Sequence, residues 1–431
     1  MAESPAAVEE PGATREPGAR FTTEDSAEEA AFRAEARAFF ESVAPRRTDA
    51  DETGNYFAMA DNDPETHARH VARNKEWQQR LFEAGRAGIT VPPEYGGRGG
   101  ERWQEKIFRQ EQSRFTVDTG LFAISLGMVV PTILAHGTEE QKQRYVPPML
   151  RGEEIWCQLF SEPGAGSDLA GLTTRAERDG DEWVVNGQKV WNSGAHHADF
   201  GALIARTDVD VPKHRGITYF LVDMHSPGID VRPLRQATGV AHFNEVFFTD
   251  VRIPHANVLG PVDGGWGVAQ TMLMNERNMI GSGGMGIGFG DYLRMARDLG
   301  VTDEPAIREG LAACFVRTEV IKYLVARAQA AVRAGKQPGP ETSVVKLNAS
   351  VNSALNSDLG LLIQGAGGML TGGDAYRRGM FQQLFVGQWG MRLGGGTEQI
   401  QRNVIGERVL GLPGEPRPDK TLPFRDTAKN A

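Results

Sequence analysis

Three small hydroxyls and an indole, set among glycines, are the residues whose types and spacing could do chemistry. Ser161 and Ser167 fall in Ser161-Glu162-Pro163-Gly164-Ala165-Gly166-Ser167-Asp168, and Ser193 follows in Trp191-Asn192-Ser193-Gly194. Glycine lets backbone approach a ligand closely, hydroxyls donate and accept hydrogen bonds, and an indole can cover a ring face. Together they suit a flat, polar, aromatic cofactor. Either phrase alone reads as an ordinary loop beside a core tryptophan.

The elements that would position these residues are strands. Asp179-Gly180 and Asn186-Gly187 are dipeptides of tight two-residue turns, so a small antiparallel sheet is expected here. Alternation predicts strands over Ile155–Phe160, Thr173–Glu177, Glu182–Val185, Gln188–Trp191, Gly201–Arg206, Ile217–Val222, Ile229–Leu234 and Asn244–Phe248. With no helical period between them, antiparallel pairing in a barrel or sandwich is expected rather than a parallel sheet.

Helical periods flank this region. On the N-terminal side they place Phe32, Ala36, Phe39 and Phe40 on one face, then Trp77, Leu81 and Ala84 on another. Helices are also expected over Glu101–Phe115 and Gly120–Ala135, and Thr138-Glu139-Glu140-Gln141 is a capping box. After Gly264-Gly265-Trp266 come one or two helices over Leu273–Leu299, then Glu304–Ala334, Glu341–Gln364 and Glu398–Leu410. Long antiparallel helices with short joins read as a four-helix bundle. The reading is therefore α+β and multidomain, with tails over 1–20 and 413–431, a helical domain over 21–152, a β-barrel over 153–262 and a helical bundle over 263–412. Both tails are expected to be disordered.

The chain has 431 residues, 47 basic against 56 acidic, for a formal net charge of −9. That argues against nucleic-acid or anionic-membrane partners. Cys157 and Cys314 make neither a metal spacing nor a disulfide framework, and no apolar run approaches a membrane span. A cytoplasmic protein is expected. Gly281-Ser282-Gly283-Gly284-Met285-Gly286 spells a dinucleotide fingerprint, but it sits in a helical segment rather than after a strand, so helix packing is the better reading.

The two phrases together closely resemble the flavin-binding middle domain of the acyl-CoA dehydrogenase family, and the resemblance runs from about Phe21 to Leu412. It implies FAD as cofactor and α,β-dehydrogenation of an acyl-CoA thioester to the trans-2-enoyl-CoA. Electrons would pass to an electron-transferring flavoprotein, in a homo-oligomer, tetramer or dimer, whose contact is made by the bundle. By the same resemblance, Ser161 meets the isoalloxazine edge, Trp191 and Ser193 flank it, and Gln158 and Leu159 offer main-chain contacts. Thr397 and Gln399 match further cofactor contacts. Gln364, Gly367 and Gly368 match a segment that reaches a neighbouring subunit's FAD. Ser167 and Arg277 would touch the CoA arm. Ala296-Arg297-Asp298-Leu299-Gly300 lacks the phenylalanine of the family's Arg-x-x-Phe-Gly phrase, which puts part of the cross-subunit FAD contact in doubt.

Carboxylate can remove the α-proton of a thioester only if the developing enolate is stabilised by hydrogen-bond donors. In Gly394-Gly395-Gly396-Thr397-Glu398-Gln399, the family's usual glutamate falls on Gly395, which keeps an N–H as oxyanion donor but has no carboxylate. Asn275-Glu276-Arg277 resembles the alternative position seen in isovaleryl-CoA and long-chain acyl-CoA dehydrogenases, so Glu276 becomes the expected base. Two rivals stand beside this reading. One is an oxygen-using flavoenzyme of the same fold, and the other a catalytically silent subunit of a mixed assembly.

Overall fold

The computed structural model describes residues 25–47, 64–282, 287–333 and 339–427. The N-terminal tail expected to be disordered and residues Gly283–Gly286 of the dinucleotide-like phrase lie outside the described residues. Among the described residues no helix is long and apolar enough to cross a membrane.

The N-terminal domain holds α1 (Ala27–Val43), α2 (Pro64–Glu83), α3 (Arg102–Gln112), α4 (Val130–His136) and α5 (Glu139–Leu150). Ser26 opens α1 with a capping box: its hydroxyl accepts the Glu29 N–H at 3.1 Å and the Glu29 carboxylate accepts the Ser26 N–H at 2.9 Å. The expected face of α1 buries Phe32, Ala36 and Phe40. Phe40 then packs on Trp77, Phe108 and Phe115, which joins α1, α2 and α3. Beneath them Glu111 is buried, and Arg33, Arg37 and Arg114 hold its carboxyl down at about 2 against the cost of burial.

The expected helix Gly120–Ala135 is interrupted. Pro131 has no N–H to give, and the preceding turn, Ser125–Val129, widens so that the Val130 N–H reaches the Ser125 carbonyl five residues back. The buried Ser125 hydroxyl in turn accepts the Trp156 N–H at 3.0 Å. The wide turn thus docks on the first strand of the next domain.

The middle domain is a curled seven-stranded sheet of β1 (Trp156–Leu159), β2 (Arg175–Asp179), β3 (Glu182–Lys189), β4 (Phe200–Arg206), β5 (Ile217–Asp223), β6 (Ile229–Leu234) and β7 (Phe243–Pro254). The order is β1-β4-β2-β3-β7-β6, with β5 also on β4. Antiparallel pairing dominates, yet β1 pairs with β4 in parallel, Trp156 opposite Phe200, and β2 meets β4 in parallel at Arg175 and Arg206. The expected antiparallel pairing holds for β2–β3, β3–β7, β4–β5 and β6–β7, and these two parallel contacts depart from it. Both parallel contacts lie along β4, which reaches them through long connections that local periodicity does not register.

Asp179-Gly180 makes its hairpin, with Asp179 opposite Glu182. Asn186-Gly187 does not. The two strands expected around it are one strand, β3, and the dipeptide is a bulge that shifts the register against β7 between Val185 and Gly187. Gly187 is needed for close approach rather than for a turn: a Cβ there would lie 2.5 Å from the Thr174 hydroxyl oxygen.

The C-terminal domain holds α6 (Gly265–Ser282), α7 (Phe289–Asp298), α8 (Pro305–Arg333), α9 (Thr342–Gln364), α10 (Met380–Leu393) and α11 (Glu398–Val404). The sequence reading did not anticipate α10. The expected helix Glu341–Gln364 carries Leu355 and Leu362. Both are exposed, while Ser343, Lys346, Ser350 and Ser357 of the same helix are buried. Leu359, between them in the chain, is buried.

The tail after Pro413 is also corrected. Phe424 is buried, with the Arg206 guanidinium 3.8 Å from its ring centroid, and its N–H donates to the Val211 carbonyl. Lys213 bridges Asp419 at 3.0 Å and Asp168 at 2.9 Å. One aromatic anchor therefore fastens a polar segment that lacks any periodic pattern. Phe424→Ala should cost about 3–5 kcal/mol at this contact and free the tail. Limited proteolysis should then cut within residues 413–427 of the variant well before wild type, and equal rates would show the anchor to be idle.

Candidate functional site

Two buried groups of opposite charge set the glycine loop against the sheet. Glu162 accepts from the Lys189 ammonium at 2.8 Å, the Thr173 N–H at 2.7 Å, the Thr173 hydroxyl at 2.9 Å and the Thr174 N–H at 2.9 Å. Lys189 also donates to the Phe160 carbonyl at 3.0 Å. Burial pushes the Glu162 carboxyl up, but Lys189 and the threonine donors prevail and hold it at about 2. Burial pushes the Lys189 ammonium down, opposed by Glu162. Sequence reasoning passed over both residues. The one available signal was a charge in the middle of an otherwise apolar strand end.

Lys189 leads directly into Trp191, whose backbone is left-handed at φ 63° and whose indole is 58% exposed. A bulky residue there is strained, and such strain persists only where the surroundings fix it. They do so here. The Asn192 N–H donates to the Asn244 carbonyl at 3.1 Å, the Asn192 amide donates to the Gln158 carbonyl at 2.7 Å, and the Gly194 N–H donates to the His242 carbonyl at 2.8 Å. Ser161 and Ser193 are half-buried beside this braced turn, and Ser167 is exposed. Leu159 is in the core.

Glu276 is brought in by α6, whose register is fixed on three sides. A Cβ at Gly265 would lie 2.4 Å from the Tyr219 amide nitrogen, so only glycine lets the helix start there. Thr271 bonds His136 of α4 at 2.8 Å, and Met279 lies over Gly127 in the wide turn. Half-buried Glu276 then accepts from the Gln158 amide of β1 at 3.3 Å, with the Gly395 N–H close enough to act on its carboxylate. Burial raises its pKa, against lowering by Gln158, Arg277, the Gly395 N–H and Lys346. The two positions that the sequence singled out, 276 and 395, are adjacent in space.

The glycine turn itself is held from below. Gly395 and Gly396 are both left-handed, at φ 65° and 90°. The buried Gln401 amide donates to the Gly395 carbonyl at 3.0 Å, and Thr397 caps α11 by accepting the Ile400 N–H at 3.2 Å. Glu398 pairs with Arg392 at 2.6 Å, away from Glu276. The buried Lys346 ammonium donates to the Met391 carbonyl at 3.0 Å and to Ser350 at 2.8 Å. Gln401 and Lys346 escaped the sequence reading because polar residues inside an amphipathic helix look solvated.

The remaining expected contacts are scattered. Gln399 and Arg277 are exposed. Gln364 is buried, donating to the Gly360 carbonyl at 3.0 Å and accepting from Gln382 at 3.1 Å, with Gly367 and Gly368 half-buried beyond the end of α9.

The sequence matches the family models described as acyl-CoA dehydrogenase, N-terminal domain, over residues 26–153, middle domain over 157–251 and C-terminal domain over 263–410. It is 36% identical over 345 residues to acyl-CoA dehydrogenase IpdE1 of Mycobacterium tuberculosis, covering 79% of this chain and 88% of that protein. The chain belongs to the acyl-CoA dehydrogenase family. Acyl-CoA dehydrogenases are flavin-dependent oxidoreductases of acyl-CoA, and the expectation of this family from two short phrases is met. Acyl-CoA dehydrogenase FadE34 of the same organism is 40% identical over 340 residues, 78% of this chain but 46% of its own length, so the chain spans under half of that relative. Among solved structures, the Tcur3481–Tcur3483 steroid ACAD superposes with a TM-score of 0.74 at 29% identity, over 91% of this chain and 99% of that one.

An acyl-CoA dehydrogenase flavin fits the residues present. The exposed indole held on a strained but braced backbone, the half-buried Ser161 and Ser193, and Gly194 with open space where a Cβ would stand make a polar seat beside an aromatic ring. The seat depends on the ion pair behind it. Lys189→Met leaves a buried carboxylate unpaired and should destabilise the domain by about 3–5 kcal/mol. Urea unfolding followed by tryptophan fluorescence would measure this, and a loss below about 1 kcal/mol would mean that the threonine donors alone suffice.

Proposed function

We propose that this acyl-CoA dehydrogenase removes an α-proton from an acyl-CoA thioester with Glu276 and forms the trans-2-enoyl-CoA, passing electrons to an electron-transferring flavoprotein. The observation that carries the reading is the meeting of the Glu276 carboxylate with the Gly395 N–H and the Gln158 amide at one point. The bound flavin supplies the acceptor for the β-hydride. Ser161, Ser193 and Trp191 would hold its ring, with Thr397, Gln399 and main-chain groups of Gln158 and Leu159 as further contacts. Gln364, Gly367 and Gly368 would serve a neighbouring subunit's cofactor. Ser167 and Arg277 would meet the CoA arm.

In this scheme the Gly395 N–H shifts from the carboxylate to the thioester oxygen as substrate enters. The developing enolate thereby gains a donor, and the lowering influence of that N–H on the carboxylate is withdrawn. Burial acts in the same direction on the base. An ordinary exposed glutamate would be too weak to compete, so the half-buried position on α6 is part of the chemistry.

Gly395 lacks the side chain that the family's commonest base position carries, which supports a bulky acyl group. The steroid ACAD among the similar structures supports a ring-bearing one. Leu355 and Leu362, exposed on α9, and Trp389 and Leu393, exposed on α10, support assembly through the C-terminal helices. Here a second reading has a specific observation behind it. FadE34 contains as much chain again as this protein matches, so the partner across the C-terminal helices could be a different chain of the same family rather than a second copy.

Anaerobic titration of the purified flavoprotein with straight, branched and ring-bearing acyl-CoAs should bleach the flavin band with one class, and Glu276→Gln should slow that bleaching by 10²-fold or more, about what a general base contributes. Bleaching at the wild-type rate in the variant would remove Glu276 from the mechanism. Wild type that carries flavin and bleaches only in the presence of a second chain would establish the mixed assembly. The rate should also depend on pH in one direction. The base must be ionised and its pKa is raised, so reduction should fall about tenfold per pH unit below that pKa, starting above the range of an ordinary glutamate. Stopped-flow rates that stay flat down to pH 5 would contradict this.

A further inference from the structure

We propose that His67, His196 and His197 form a binding site for one divalent cation of the zinc class, linking the N-terminal helical domain to the middle domain. His67 is on α2. His196 and His197 close the tight turn Ala195–His197, which begins directly after Trp191–Gly194. One ring nitrogen from each of the three lies within 4.8 Å of the other two, and all three rings are half-buried. The ring centroids are 5.4 Å apart for His67 and His196, 4.1 Å for His67 and His197, and 3.8 Å for His196 and His197.

The hydrogen bonds around His196 leave it ready to ligate. The Asn244 amide donates to the Asn192 carbonyl at 2.8 Å and to the His242 carbonyl at 3.3 Å, which turns its oxygen toward His196. That oxygen only accepts, so His196 Nδ1, 3.0 Å away, must carry the hydrogen. Nε2 is then the lone-pair nitrogen. A ligating imidazole is typically oriented in this way, through its other nitrogen. His67 supplies the independent observation: its Nε2 is buried and has no hydrogen-bond partner among the described residues. A buried polar atom left unpaired calls for an explanation, and a metal ion is one.

The donor set narrows the ion. The cluster offers three imidazoles and no thiolate or carboxylate, which suits zinc, copper(II) or nickel and disfavours calcium and magnesium. Zinc–nitrogen bonds of about 2.0–2.1 Å put tetrahedral ligands roughly 3.4 Å apart. The three rings would therefore close by about an ångström through side-chain rotation, leaving water in the fourth position. Bound there, the ion would tie α2 to the segment that carries the exposed indole. This inference does not depend on the proposed reaction.

The test uses the full-length flavoprotein, stripped with a chelator and returned to chelator-free buffer, titrated with zinc alone by calorimetry. One equivalent per chain with micromolar or tighter affinity is expected. His67→Ala and His197→Ala should each weaken it by about 100-fold or more, whereas His225→Ala, on the exposed turn after β5, should leave it unchanged. His67→Gln is the companion variant, and circular dichroism and the flavin spectrum confirm that each variant is folded. Cobalt(II) in place of zinc should give ligand-field absorption to the red of the flavin bands, lost in His67→Gln. No zinc uptake by wild type at about 100 μM, or uptake and cobalt bands that survive the His67 and His197 variants, would overturn the proposal.

Discussion

A carboxylate and an ammonium buried together at 2.8 Å hold the Ser161 loop and the Trp191 turn in place. Each would be costly alone in a low-dielectric interior. Together they are tolerated because the remaining polar capacity is filled by Thr173, Thr174 and the Phe160 carbonyl. An apolar pair of similar volume could give comparable stability. It could not give the same register, because dispersion is non-directional and four convergent donors are not. The pair fixes the loop beginning at Ser161 to the end of β3, and so fixes where Trp191 leaves the sheet. Arg206 extends the same device at the far end of β4, donating to the Ala170 and Lys213 carbonyls at 2.6 Å and covering Phe424.

The proposed base is positioned by steric exclusion rather than by charge. Gly265 against the Thr218–Tyr219 backbone lets α6 lie closer to the sheet than any side chain would allow, and Met279 packs over Gly127 in the wide turn. That approach brings Glu276 onto Gln158. From the other side Lys346, Gln401 and the Arg392–Glu398 pair hold the left-handed glycines at the turn between α10 and α11. Two domains thus converge on one carboxylate. The acidity of that group is a property of their junction and of neither helix by itself.

Much was legible in the chain. The Ser161–Asp168 and Trp191–Gly194 phrases, the capping boxes, the Asp179-Gly180 hairpin and the aromatic face of α1 are all local, and their physics acts within a few residues. The pairing of positions 276 and 395 was reached through resemblance. What failed shared one feature. Asn186-Gly187 became a bulge because β7 continues past it, and residues 413–427 are ordered because Phe424 has a guanidinium to lie under.

By itself, then, the sequence determined the family and the three-part helix–sheet–helix order, since these rest on residue type and short spacing. The tertiary structure alone decided the parallel contacts along β4, the ionisation of Glu162 and Lys189, the raised pKa of Glu276 and the meeting of His67 with the turn at His196. Each of these depends on groups far apart in the chain, and desolvation, ion pairing and close approach act through distance in space.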